Sequence, residues 1–405
     1  MLQAIIYIYL ATWPLLTLVW IYDFGRGVGV IDVIRTVAVL LIPTTIFINA
    51  ILQKQIRTHK AVVIWMLFLG YSIINVYVVN GPLGVREIVR DSILTYMVPL
   101  AMYFVITNLS FMLDIKCLVI SVIISGIITA GVGLLEWFAG KNLIGPAYTG
   151  MDLITRDVFF RTNGPFHDGI SYSTVVLMHI PFAYYFMKKQ LISKRLWIFC
   201  VAFFALGSLV AYARSTMVAL LLTGIILALR VKVGNLFATI YMMVFGGIMV
   251  FIAWELIASS QIYTKRIGEA SDVIGRYLQN IHAWKMFLQN PFFGLGYGNW
   301  QKIDRIYGIH NSFMAQLAEG GLIGFTLFML YYASILLKNI KKLFQERIPE
   351  ALKTRFAYIV IIFIVANAIQ LMMNPQFVFT LLVMFAIFEI DTMKRQKQQI
   401  STISA

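Results

Sequence analysis

Apolar runs of about 20 residues recur along the whole chain, each long enough to cross the roughly 30 Å hydrocarbon core of a bilayer as a helix. Hydrocarbon offers backbone groups no partner, so runs of this length point to an all-α polytopic membrane protein. The composition agrees: 60% of the 405 residues are hydrophobic and 13% are charged. Mean hydropathy is +0.82. No interval between the runs is long enough for a soluble domain, so a single membrane-embedded domain over 1–405 is expected.

Apolar runs and their polar breaks predict twelve spans, at about 4–22, 33–53, 61–79, 93–109, 116–138, 170–187, 196–213, 215–230, 235–257, 310–337, 356–373 and 377–391. The first span lacks a basic flank and a small-residue cleavage site, and is expected to be a retained helix rather than a signal peptide. An even count puts both termini on one side. Of the 33 basic residues, 19 then fall on the terminal side, including the dense clusters Lys188-Lys189 to Lys194-Arg195 and Lys394-Arg395-Gln396-Lys397. Positive charge collects in loops that stay inside, so both ends are expected in the cytoplasm. The connections 139–169 and 258–309 are then external. The second carries a helix-like stretch, Arg276 to Gln289, whose Tyr277, Ile281, Trp284, Met286 and Leu288 suggest an apolar face along the membrane surface.

The net charge of +15 has its cause in these loops, so no nucleic-acid partner is expected. Cys117 and Cys200, the two cysteines, lie on or beside apolar spans and offer no disulfide framework or cysteine metal site. His167, His282, Asp168 and Asp304 lack metal-ligand spacing, so no metal is assigned. His179 and Asn367 are expected to form hydrogen bonds between helices.

The external side is rich in arginine, where positive charge is normally scarce. A guanidinium presents paired donors that match phosphate oxygens two at a time. Arg214, in Ala211-Tyr212-Ala213-Arg214-Ser215-Thr216, sits in a short break between two spans. It either snorkels to headgroups or holds an anionic partner. Arg276 is a headgroup-facing cation or a substrate ligand. Arg161 and Asn163 belong to Arg161-Thr162-Asn163-Gly164-Pro165-Phe166, a polar turn that Asn163 and Asp168 could hold structurally. His310 is the candidate base, since imidazole titrates near neutrality. Asn311 is placed to cap the following helix. Glu319, nine residues on, would project from the opposite side of a continuous helix, as a partner for another helix.

The run from His310 to Gly324, a His-Asn pair followed by nine residues, Gly321, two residues and Gly324, resembles the signature of the O-antigen ligase and Wzy-type polymerase superfamily. The similarity reaches back through Gly294-Leu295-Gly296, Pro291, Trp284 and Arg276. More loosely it includes Arg214 and the turn at Arg161, giving a region of resemblance over 155–330. It implies a GT-C-type bundle of about twelve spans in the bacterial inner membrane, with a long periplasmic loop over the site. The implied activity is metal-independent, inverting transfer of a glycan from undecaprenyl diphosphate to an acceptor hydroxyl, with no cofactor. His310 would then be the base, and Arg214 and Arg276 would bind the diphosphate. Arg161, Asn163, Asn311, Arg266 and Arg305 would line the substrate path. Partners implied are the lipid-linked donor, a glycan or lipid A core acceptor, membrane lipids, and polysaccharide-export or chain-length-regulating proteins.

Arginines preorganised around a polyprenyl diphosphate would stabilise the charge that grows as the sugar-phosphate bond breaks. Tyr148, Tyr172, Tyr297, Trp300 and Tyr307 could stack on sugars or form an interfacial aromatic belt. Ser171-Tyr172-Ser173 after Gly164-Pro165-Phe166 resembles exopolysaccharide polymerases, and favours polymerase over ligase. A flippase of lipid-linked sugars also needs arginines, but transporters place ionisable groups near the midplane rather than at one face.

Overall fold

The computed structural model describes residues 2–16, 30–52, 54–57, 59–92, 98–141, 143, 162–166, 168–211, 213–228, 270–297, 299, 309–338, 340, 349–367 and 375–403. Among the described residues the chain forms helices and no strands. The helices are α1 (Leu2–Leu16), α2 (Val30–Ile51), α3 (Lys60–Ser92), α4 (Val98–Asn108), α5 (Ile115–Ala139), α6 (Gly169–Lys188), α7 (Lys194–Leu209), α8 (Arg214–Ala228), α9 (Ala270–Gln289), α10 (Ser312–Leu336), α11 (Pro349–Ala366) and α12 (Pro375–Ile403). Eleven of the twelve expected spans coincide with helices; the span at 235–257 lies outside the described residues. Lys60–Val79, Ile115–Ala139, Ser312–Leu336 and Gln376–Lys394 are each long and apolar enough to cross a membrane. Leu40–Ile51, Val98–Asn108 and Ser215–Ala228 are shorter apolar helices. The chain is a multi-pass membrane protein.

The helices group into two compact units. The first comprises Met1–Thr58, Ile93–Met217 and Asn374–Ala405. Its centre is α12, whose span Gln376–Lys394 is 83% buried, against α4, α5 and α6. Two carboxylates near the end of that span are tied to other helices. The Tyr103 hydroxyl donates to Glu389 Oε2 at 2.6 Å and the Tyr185 hydroxyl to Asp391 Oδ2 at 2.6 Å. Charged groups in a span persist when such donors meet them. Trp13 of α1 stacks on Phe379 of α12, with ring centroids 3.7 Å apart.

The alternation of loops is visible at one end of this unit. Gln3 Nε2 donates to the Met112 carbonyl and Lys394 Nζ to the Leu113 carbonyl, so the first helix begins beside the end of the last span. Asn108 exchanges hydrogen bonds with the Arg57 backbone at the same turn. An open hollow of about 570 Å³ there is lined by Lys116, Gln190, Ser193 and Lys194. Basic residues from four of the predicted same-side segments, Arg57, Lys116, Lys194 and Lys394, therefore share one end of the first unit.

Close helix approach here depends on glycine. Tyr172 of α6 is completely buried, and a Cβ at Gly133 of α5 or Gly164 would run into its ring, while one at Gly207 of α7 would press on Ala130. His179 sits similarly over Gly126 and links α6 to α5: Nδ1 lies 2.8 Å from the Val175 carbonyl and Nε2 lies 3.4 Å from Ser125 Oγ. That is the interhelical bonding expected of it.

The second unit comprises His59–Ser92 and Val218–Met373. α3 and α10 run antiparallel: Lys338, just past α10, reaches His59, just before α3, at 3.0 Å, and Trp65 packs against Tyr331. Buried Arg355 of α11 caps the end of α10 by donating to the Ile335 and Leu336 carbonyls at 3.3 and 2.9 Å. At the opposite end of α10, Asn311 meets Asn367, just beyond α11. Asn367, like His179, makes its expected interhelical bond.

Gly133→Ala is expected to lower the thermal midpoint in detergent, because the new methyl must displace the buried Tyr172 ring, at a cost of about 1–3 kcal/mol. Gly140→Ala is the control for glycine replacement where no atom obstructs the methyl; its cost comes from positive φ alone.

Candidate functional site

The region before and within α10 is organised by a break in its own helix. Gly321 takes φ 61° and ψ −166° in the middle of Ser312–Leu336, a positive-φ conformation essentially confined to glycine that costs other residues about 1–3 kcal/mol. The ladder that a continuous helix would form is replaced by bonds to the turn after α9. Leu295 N–H donates to the Ala318 carbonyl and Gly296 N–H to the Glu319 carbonyl, both at 2.9 Å. In return, Leu322 N–H donates to the Pro291 carbonyl at 2.8 Å and Ile323 N–H to the Phe292 carbonyl at 3.3 Å. The remaining carbonyl, Gly320, accepts from the Tyr71 hydroxyl of α3 at 2.6 Å. Asn75 Nδ2, one turn along α3, donates to the Phe293 carbonyl at 2.7 Å.

This clasp accounts for the glycines of the signature. A Cβ at Gly321 would meet the Phe292 carbonyl, and one at Gly294, itself at φ 67°, would lie 2.5 Å from Gly321 N. Gly320 and Gly324 leave room for the Tyr297 ring, whose hydroxyl donates to Gln316 Oε1 at 3.1 Å. The stretch Gly294 to Tyr297 is thus tightly turned and pinned.

Helix α10 begins at Ser312, with Asn311 as its cap. Asn311 Oδ1 accepts from the Phe313 and Met314 N–H groups at 2.9 and 3.1 Å, and its Nδ2 donates to Asn367 Oδ1 at 3.0 Å. The Asn311 side chain is therefore occupied on both faces. His310 precedes the cap, outside the helix, and is exposed, next to Ile309, which is buried. The half-turn relation expected between His310 and Glu319 assumed that His310 was helical and does not apply.

Amphipathic α9 is confirmed, but it starts at Ala270, before Arg276, and its buried face differs from the expected one. Gln279, Ala283 and Met286 are buried, and Ala283 and Met286 pack with Ile309, Ala315 and Ala318. Tyr277, Trp284 and Leu288 are exposed. Met286 therefore belongs to the protein core, two residues out of phase with the apolar stripe. Arg276 lies on α9, two turns ahead of Ala283.

In the first unit the polar turn at Asn163 is held by a residue that the sequence reading missed. Glu136, in α5, accepts from the Thr162 hydroxyl at 2.7 Å, the Gly164 N–H at 2.8 Å and the Leu143 N–H at 3.1 Å. Asp168 caps α6, accepting from Ser171 N–H at 2.7 Å. The structural holder of the turn is thus Glu136; Asn163 contributes its carbonyl, to Phe166 N–H at 3.1 Å. The signal was available: Glu136 is the sole acidic residue in an apolar run of 25.

Arg214 is the first residue of α8 rather than part of the break, because the Ala213 carbonyl already accepts the Met217 N–H at 3.0 Å. Thr216 and Ser173 hydroxyls lie 2.8 Å apart and tie this start to α6. Arg161, Arg266 and Arg305 lie outside the described residues, as do Tyr148, Trp300 and Tyr307. Tyr172 and Tyr297, expected as stacking or belt residues, are 0% and 6% exposed. They fill the spaces that glycines leave and present no face to a sugar. Arg214 thus belongs to the first unit, and Arg276 and His310 to the second. Of the latter two, the structure links the helix of one with the chain beside the other through the Ala283 and Ile309 cluster.

A family model described as O-antigen ligase matches residues 174–329. The segment contains Arg214, Arg276, His310 and the entire α9–α10 clasp, and begins after the Asn163 turn. No curated protein matches the chain.

Replacing Gly321 by Ala is expected to cost about 2 kcal/mol or more, by positive φ and collision with the Phe292 carbonyl. His310→Ala, at an exposed position, should leave stability within about 0.5 kcal/mol of the parent. Thermal unfolding in detergent compares the two; equal midpoints for both variants would contradict the clasp.

Proposed function

We propose, from the match of residues 174–329 to a family model described as O-antigen ligase, that the chain is a membrane enzyme of ligase or polymerase type that transfers glycans from undecaprenyl diphosphate to an acceptor sugar hydroxyl. The reaction takes place on the periplasmic face of the bacterial inner membrane, without a metal and with inversion. The observation that carries this reading is His310, exposed immediately ahead of a helix start that Asn311 has already capped. The cap and clasp fix the backbone that bears the imidazole.

In the proposed reaction His310 takes the proton of the acceptor hydroxyl as its oxygen attacks the anomeric carbon. The bond from that carbon to the diphosphate oxygen breaks, and the electron pair leaves with undecaprenyl diphosphate. Arg214 and Arg276 stabilise the departing charge by paired donation. Arg161, Asn163, Arg266 and Arg305 provide further contacts to the substrates, and Asn311 acts by holding the chain at His310. The acceptor is the next lipid-linked repeat, which makes the product a surface or secreted polysaccharide. Attachment to lipid A core is the same chemistry with another acceptor.

His310→Ala is expected to reduce transfer at least about 100-fold, the lower range for loss of a general base, with the protein still inserted and folded. Arg214→Lys should also be impaired, since lysine keeps the charge and loses the fork. Purified protein given a lipid-linked repeat, with and without lipid A core acceptor, reads both points. A ladder without the core acceptor supports polymerisation, and a single adduct only in its presence supports ligation. Undiminished His310→Ala activity would contradict base catalysis.

A further inference from the structure

Glu136 is completely buried near the end of α5, whose only other charged residue is Lys116. A carboxylate in such surroundings persists only when its oxygens are satisfied. Its Oε1 accepts from Leu143 N–H at 3.1 Å, and its Oε2 from the Thr162 hydroxyl at 2.7 Å and Gly164 N–H at 2.8 Å. One side chain therefore grips both flanks of the connection from 143 to 162. Gly164, at φ 53°, lies against the ring of buried Tyr172, where a Cβ would collide. Phe166 N–H closes the turn on the Asn163 carbonyl.

Asn163 stands between the two residues that Glu136 holds. It is half-buried, and its side-chain amide makes no hydrogen bond among the described residues. Loop asparagines usually bond their own turn; here Glu136 and Thr162 already do that work. An amide offers an acceptor and two donors side by side, the pattern that neighbouring sugar hydroxyls complement.

We propose that Glu136 is a positioning residue: by fixing Thr162 and Gly164 it presents the Asn163 amide to sugar hydroxyls of the lipid-linked glycan donor. The inference rests on the glycosyltransferase reading above. It assigns roles to Glu136, Thr162, Asn163 and Gly164, all outside the family-matched segment 174–329.

The test is steady-state transfer by the full-length protein with a lipid-linked repeat, resolving kcat from KM. Thr162→Val removes one bond to Glu136 and should raise the donor KM about tenfold with kcat within about twofold. Thr162→Ser keeps the hydroxyl and should stay within about twofold of the parent. Glu136→Leu should raise KM at least as far as Thr162→Val. Adding Asn163→Ala to it should cost nothing more, because the amide is already out of place. Parental KM in Thr162→Val, a fall in kcat alone, failure of serine to rescue, or penalties of Glu136→Leu and Asn163→Ala that multiply would each overturn the proposal. If Glu136→Leu does not fold, the Thr162 pair decides. A parent protein that transfers no glycan sinks the transferase reading itself, whereas an active parent indifferent to Thr162→Val sinks only the positioning role.

Discussion

A helix broken in the middle of a span must find new partners for the backbone groups it releases, and at Gly321 the protein supplies them for three carbonyls and two N–H groups. The Ala318 and Glu319 carbonyls, which would have accepted from residues four further on, accept from Leu295 and Gly296 instead. The released N–H groups of Leu322 and Ile323 turn to Pro291 and Phe292, and the Gly320 carbonyl takes the Tyr71 hydroxyl. Irregular backbone at membrane depth is tolerated only where protein satisfies it. The turn after α9 is thereby bound to α10 by main-chain bonds, whose geometry side-chain mobility cannot loosen. With α9 packed on the first turns of α10, and Asn311 locking the helix start, the chain at His310 is held from three sides.

The same economy governs the first unit. A bilayer interior penalises unmatched polar groups, and the carboxylates of Glu136, Glu389 and Asp391 and the imidazole of His179 each meet a partner. Glu136 holds a turn, Glu389 and Asp391 hold tyrosines, and His179 holds Ser125. In each case an ionisable side chain bridges elements distant in sequence. Such bridges fix which helices are neighbours, something that apolar contact in a bundle of leucines, isoleucines and phenylalanines specifies only weakly.

Legibility in the sequence followed the physics of each feature. Spans were legible because their signal is local: twenty apolar residues read the same whatever they pack against. The cap at Asn311 and the interhelical bonds of His179 and Asn367 were legible for a similar reason, since a lone polar group in an apolar setting must find a partner. The face of α9 was read incorrectly at Met286, because a helix with one side on protein and the other carrying exposed Tyr277, Trp284 and Leu288 has two apolar sides, and periodicity alone does not separate them. The break at Gly321 looks like an ordinary glycine until the Phe292 carbonyl is seen against it. Glu136 escaped notice because its partners Thr162 and Gly164 lie 26 and 28 residues away. Tyr172 and Tyr297 looked like platforms for sugars; the glycines that make room for them lie on other elements of the chain.

The central claim is that this chain makes a glycosidic bond at the expense of a sugar-diphosphate bond, and product stoichiometry addresses it most directly. Purified protein in lipid nanodiscs would be incubated with an undecaprenyl-diphosphate-linked repeat in the presence of a chelator, and glycan linkages and lipid products counted by mass spectrometry. One undecaprenyl diphosphate released for each new linkage is the expected result. Lipid-linked repeat that persists uncleaved, with no new linkage, would contradict it.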